Sequence, residues 1–146
     1  MKHLFLIHSH TVFLTAMGVI EQLGLKNSDV LIMNFRHYHN PQLGFNYKSY
    51  DFSDNVEESY HIFFSYSRKH FIFNKKQRNK IVNAFDDFVD NVIQENYTLY
   101  VPHLQSPSFQ ILATNKKCKE VFFVQEGARI MYDCIIDKNK WYYRLY

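Results

Sequence analysis

Cysteine, glycine and proline are all scarce in this chain, at 2, 4 and 3 of its 146 residues. Cys118 and Cys134 form no C-x-x-C pair, which excludes a disulfide framework and a cysteine-based zinc site. A reduced, cytoplasmic setting is the expectation that follows. So little glycine and proline also excludes a low-complexity or collagen-like chain. No G-x-G-x-x-G follows the first apolar run. His8-Ser9-His10-Thr11-Val12-Phe13 stands there without a single glycine, against a dinucleotide-binding oxidoreductase. Residues 4–7 are too few for a signal-peptide core and far too few for a membrane span. No internal repeat is present. Charge of one sign is lacking too: the formal net charge is +3 and the pI is near 8.8, well short of what announces a nucleic-acid-binding domain.

Apolar and aromatic side chains are plentiful. Hydrophobic residues make up 47% and aromatic residues 18%, enough for one globular domain with a substantial core. Leu4-Phe5-Leu6-Ile7 is a short continuous apolar run, the pattern of a buried parallel strand. Residues 11–23 then carry Val12, Ala16, Val19, Ile20 and Leu23 on one helical face. Ser9 or Thr11 can cap that helix, and Gly24 suits its end. Residues 29–35 form a second apolar strand, completing a β-α-β unit with parallel strands. Residues 47–52 alternate polar and aromatic and admit a short strand, and residues 61–66 are a further candidate. Asn74 with Gln77 resembles a capping box before a helix running to about Gln94. Its apolar face holds Ile81, Phe85, Phe88, Val89 and Val92, whereas Asp86, Asp87 and Asp90 read as solvating residues. A strand over residues 97–101 stops at Pro102. Ser106-Pro107 opens a short helix with Phe109, Leu112 and Ala113 inward. Val121-Phe122-Phe123-Val124 reads as a last buried strand. The alternation predicts one α/β domain over residues 1–146, Rossmann-like, with a mostly parallel sheet flanked by helices.

The carboxyl ends of such strands are where ligands bind. Glu126-Gly127 falls there. A carboxylate in that place can act as general base, and the glycine lets a substrate approach the backbone. The plain alternative is an ordinary Glu-Gly turn. His8, His10 and Thr11 share that edge, either contacting substrate hydroxyls or capping the helix and meeting solvent. His103, after Pro102, lies on it as well. His8-x-His10 and His37-x-His39 have chelating spacing only while the chain stays extended, and no acid or cysteine completes either set. No metal is therefore expected. Six of the 17 basic side chains, Arg68, Lys69, Lys75, Lys76, Arg78 and Lys80, fall within residues 68–80. They suit an anionic glycan, phospholipid headgroups or simply solvent. The aromatic ending Trp141-Tyr142-Tyr143-Arg144-Leu145-Tyr146 suggests that this end packs down or that the architecture continues.

Three segments together resemble one enzyme group. Leu4 to Thr11 running into a helix, Tyr100-Val101-Pro102-His103-Leu104 followed by Phe109-Gln110-Ile111-Leu112, and Phe122-Phe123-Val124-Gln125-Glu126-Gly127 look like the corresponding parts of bacterial sialyltransferases and polysialyltransferases. The resemblance implies the N-terminal half of a GT-B glycosyltransferase of polysaccharide or lipooligosaccharide biosynthesis. Such enzymes move sialic acid from CMP-sialic acid to a glycan acceptor without a metal or other cofactor. By that likeness Glu126 is the catalytic base and Gly127 its turn residue. His8, Ser9, His10, Thr11, His103 and Gln125 join Gly127 as substrate-binding candidates. Two departures matter. Gln125 stands where a second acid belongs, so like-charge repulsion cannot raise the Glu126 pKa. The His-Pro motif of the donor-binding C-terminal domain is absent. The resemblance thus implies an acceptor-side half, inactive without a second domain or partner chain, cytoplasmic and with peripheral inner-membrane contact as an option. The competing expectation is a non-catalytic Rossmann-like module that holds an anionic glycan or nucleic acid through the basic segment.

Overall fold

Five parallel strands form the centre of the molecule in the order β3-β2-β1-β4-β5 in a computed structural model. The structure describes residues 1–35, 38–41, 47–51, 75–104 and 106–124. The strands are β1 (Lys2–Ile7), β2 (Val30–Asn34), β3 (Lys48–Asp51), β4 (Tyr97–Val101) and β5 (Cys118–Phe123). Among the described residues three α-helices accompany them: α1 (His10–Gln22), α2 (Lys75–Phe88) and α3 (Pro107–Thr114). The expected α/β, Rossmann-like arrangement is what is found.

The pleat of the strands splits the core in two. Alternate residues of a strand face opposite sides. On one side Leu4 and Leu6 join Leu31, Met33, Leu99 and Val101 under Phe85, Val89 and Ile93 of the α2 arm and Phe109 and Leu112 of α3. On the other, Phe5, Ile7, Val30, Ile32 and Tyr100 lie against Val12, Phe13, Ala16 and Ile20 of α1. Each fully buried apolar side chain of this kind is worth about 1.5–3 kcal/mol, so β1, β2 and β4, each with covered side chains on both faces, anchor both halves.

The local chemistry of α1 follows its sequence. Ser9 is extended (φ −156°, ψ 160°), and its Oγ accepts from the Val12 N–H at 3.4 Å. At the far end Gly24 takes φ 59°, the left-handed region that glycine occupies without a steric penalty. Gly24 N–H donates to the Glu21 carbonyl, and Leu25 N–H to the Ile20 carbonyl, the pair of bonds that closes a Schellman end. Leu23, expected on the buried face, is instead 56% exposed because the chain turns away there.

The α2 arm ends in a wide turn. Val89–Ile93 is π-helical, and Gln94, at φ 64°, donates its N–H back to Val89. That wider turn keeps Phe85, Val89 and Ile93, each four residues apart, on one face, which is why Ile93 and not Val92 is deeply buried. Asp86 and Asp90 do more than solvate. Asn115 Nδ2 donates to Asp86 at 2.9 Å, and the Lys117 ammonium lies 2.6 Å from Asp90, tying α2 to the α3–β5 turn. The Lys117 hydrogen bond and charge hold the Asp90 carboxyl below its ordinary range.

The last strand departs from expectation. β5 is paired on the sheet only through β4 among the described residues, and Phe122 and Phe123 are 48% and 39% exposed. The apolar run reads as buried, but β5 lies at the rim of the described sheet, where fewer side chains pack over its faces. The candidate strand at residues 61–66, the capping Asn74 and residues 125–146 lie outside the described residues. So do Arg68 and Lys69, whereas Lys75 and Lys76 are exposed at the start of α2.

Candidate functional site

The strand order reverses direction at β1, which has β2 on one side and β4 on the other. The chain leaves β1 by way of α1 and β4 by way of α3, on opposite faces of the sheet, and this divergence opens the crevice in which α/β proteins bind ligands. Two clusters occupy that carboxyl edge.

The first lies where β1 meets β4. His8, 9% exposed, follows β1, and His103 follows β4. Their rings lie 5.6 Å apart, centroid to centroid. Phe109 of α3 flanks both, at 6.4 Å from His8 and 5.2 Å from His103, and meets Phe35 edge-on at 5.0 Å. Two features aim the His103 loop. Pro107 at the first helical position sacrifices no intrahelical bond. Gln110, in the next turn, donates its side-chain amide to the Leu104 carbonyl and pins the loop from beneath. At the end of β5 the Val124 N–H donates to the Val101 carbonyl at 2.8 Å, which holds Val124 at the carboxyl edge.

The sequence-based candidates separate here. His8 and His103 converge. Ser9 is half-buried and serves as the α1 cap. His10 is exposed, its Nδ1 3.4 Å from the Tyr38 hydroxyl, whose pKa burial raises. Thr11 is exposed, and its carbonyl accepts from Thr15. His8 and His10 do not form a chelating pair, because the chain turns from strand to helix between them and sends one ring inward and the other outward. Among the described residues no group of three His, Cys, Asp or Glu side chains comes together. Gln125, Glu126 and Gly127 lie outside the described residues.

The second cluster was not singled out in the sequence. Beyond β2 and β3 a cleft of about 270 Å³ is lined by Phe13, Ile32, Asn34, His39, Asn40, Pro41, Tyr47, Ser49 and Asp51. The register pairs Asn34 with Asp51 across the two strands. Asn34 Nδ2 donates to Asp51 Oδ1 at 3.0 Å, and His39 Nδ1 approaches Asp51 Oδ2 at 3.3 Å. One sequence signal could have found it: Asn34 is a polar residue closing the otherwise apolar strand Val30–Asn34, and it is 2% exposed. A polar group buried at a strand's carboxyl end has a structural or binding task.

Other titratable contacts lie away from this edge. His3 Nδ1 is 3.1 Å from the Tyr100 hydroxyl, and burial lowers the His3 pKa and raises that of Tyr100. Tyr97 donates to the Leu112 carbonyl at 2.6 Å, and burial pushes its phenol upward. Burial likewise raises the Cys118 thiol to about 11, so this cysteine is a poor nucleophile at neutral pH. No described helix is long and apolar enough to cross a membrane. Compared with family models, curated proteins and solved structures, the chain matches none of them.

Proposed function

We propose that this chain is the acceptor-side Rossmann-like domain of a sialyltransferase-like glycosyltransferase. The observation that supports it is the convergence of His8 and His103 at the β1/β4 junction, with Val124 carrying the chain onto the same edge. In this reading Glu126 takes the proton of an acceptor hydroxyl. That oxygen attacks the anomeric carbon of the sialyl donor, the new C–O bond forms, and CMP leaves with the electrons of the broken bond. His8 and His103 bind neighbouring acceptor hydroxyls through their ring nitrogens, and Gln125 and Gly127 line the approach. The charge that develops on the departing CMP requires a donor-binding domain, in the same protein or in a partner chain. The setting is the reducing cytoplasm.

The test has two stages. Calorimetry with the purified chain should register an oligosaccharide acceptor but neither CMP nor CMP-sialic acid. Nucleotide binding by this chain alone would overturn the assignment of sides. With a donor-binding domain supplied, Glu126→Gln should reduce transfer at least 100-fold, on the scale of a lost general base, while acceptor affinity stays within about twofold, a fraction of one hydrogen bond.

A second reading draws on the exposed Lys75 and Lys76 at the start of α2. Cations oppose the helix dipole there, so local stability does not account for them. A non-catalytic module gripping an anionic glycan would use them. It predicts salt-sensitive polymer binding that Lys75→Ala/Lys76→Ala weakens and Glu126→Gln leaves intact.

A further inference from the structure

The cleft beyond β2 and β3 has a chemistry of its own. At about 270 Å³ it is at the small end of ligand sites, room for a single ring rather than a chain of them. The amide of Asn34 has only one consistent orientation, because its nitrogen must face the Asp51 carboxylate. Its oxygen is thereby fixed as an acceptor, buried and without a hydrogen-bond partner. The Oδ1 of Asn40, which also lines the cleft, is buried and unpartnered in the same way. A buried acceptor left unsatisfied costs about 1–3 kcal/mol. Two of them around one cleft mark a surface that requires hydrogen-bond donors.

The other lining groups decide which donors. An anion would be repelled by the Asp51 carboxylate and would leave the two amide oxygens unsatisfied. A hard cation such as calcium takes about six to eight oxygen ligands, and the cleft offers one carboxylate that already receives Asn34 and His39. A purely apolar ligand would leave the amide oxygens unsatisfied. Hydroxyl groups fit, because each donates once and still accepts. They can donate to Asn34, Asn40 and Asp51 and accept from the Ser49 hydroxyl or from the outer nitrogen of His39, whose side chain is 75% exposed. Phe13, Ile32 and Pro41 supply the apolar wall on which the C–H face of a ring can lie. Asn40 lies outside the described strands, where rotation of its side chain can turn the oxygen toward a bound hydroxyl.

We propose that this cleft binds the vicinal hydroxyls of one sugar ring, with Asn34, Asn40 and Asp51 as the acceptors. The site is separate from the His8–His103 junction and stands whether or not the chain belongs to a transferase. Vicinal hydroxyls come from two sources, the pyranose end of a glycan and the ribose of a nucleoside, and the experiment distinguishes them.

The measurement is a titration of the full 146-residue chain, labelled with nitrogen-15, in which the side-chain amide signals of Asn34 and Asn40 are followed. One arm adds methyl galactopyranoside and methyl glucopyranoside, a second adds cytidine, and a third adds calcium chloride. Saturable movement of both amides in the first or second arm is the expected result, and the arm that responds names the source. Asn40→Ala and Ser49→Ala, which leave the Asn34–Asp51 bond in place, should each weaken that binding about tenfold, the scale of one lost hydrogen bond. Asn34→Ala should abolish it, and circular dichroism shows whether that variant keeps its fold. If it does not, Asn40→Ala and Ser49→Ala decide the question. The proposal is overturned if neither sugar nor nucleoside moves the amides, if calcium alone does, or if Asn40→Ala and Ser49→Ala bind as the parent does.

Discussion

Two places along the sheet's carboxyl edge, the β1/β4 junction and the β2/β3 cleft, solve opposite problems. At the β1/β4 junction polar rings are packed into an aromatic setting: His8 and His103 share Phe109, which is itself closed off by Phe35. At the β2/β3 cleft a buried amide and a carboxylate are held in register, and acceptor atoms are left over. The first cluster is stabilised by its packing and should tolerate little change. The second is organised by two polar contacts and should tolerate loss of an amide better than gain of a charge.

The comparison breaks most visibly at Phe109. Phe109→Ala removes the ring common to both histidines and to Phe35, and it should cost about 3–5 kcal/mol, the range for truncating a buried phenylalanine. A urea titration followed by circular dichroism would read it. A loss below about 1 kcal/mol would show that the junction does not depend on that packing. Asn34→Asp is the corresponding change at the cleft. It places a second carboxylate beside Asp51 and should cost about 3 kcal/mol at neutral pH, the order of an uncompensated buried charge, with part recovered in acid where the new group protonates. Asn34→Leu sharpens the contrast. It removes a bond to a carboxylate and an unsatisfied acceptor together, terms of similar size, so the same titration should place it within about 1 kcal/mol of the parent.

Smaller effects come from the capping residue and the amino end. Ser9→Ala removes a single long cap bond of 3.4 Å and should cost about 0.5–1 kcal/mol, at the low end for helix caps. A larger loss in thermal unfolding would mean that Ser9 also supports His8. His3 supplies a reference far from both clusters. Burial holds its folded-state pKa below the ordinary 6.5, against the opposing pull of Asp29. In the window just under pH 6.5 the unfolded chain therefore binds more protons than the folded one. The stability that His3 contributes is present above 6.5 and is lost as the pH falls through the folded value. His3→Gln should flatten that part of a stability-against-pH curve and leave the slope at higher pH unchanged.

The sequence made the frame legible because buried parallel strands announce themselves as apolar runs. β1, β2 and β4 were visible in Leu4–Ile7-type patterns, and α1 and α3 in their apolar faces and their Ser9, Gly24 and Pro107 signals. The exposure of Phe122 and Phe123 was not visible, since an apolar run is the same string in a central or an edge strand. His8 and His103 could be placed on one edge from strand ends alone, but Phe109 between them required the packing of α3. The cleft was hidden for a different reason. Asn34 and Asp51 are 17 residues apart, and only the β2/β3 register makes them neighbours. His39, considered in the sequence only for its spacing from His37, and Asn40 acquire meaning from that register too.

The central position of β1 has a consequence for the newborn chain. His3 is paired with Val30 on one side and with Thr98 on the other. A ribosome adding about 5–20 residues per second supplies the first partner within seconds of His3, but the second arrives only some 5–20 s after His3 itself. Through that interval a strand buried over Leu4–Ile7 is synthesised, half-paired and waiting, with one hydrogen-bonding edge open to whatever else is nearby.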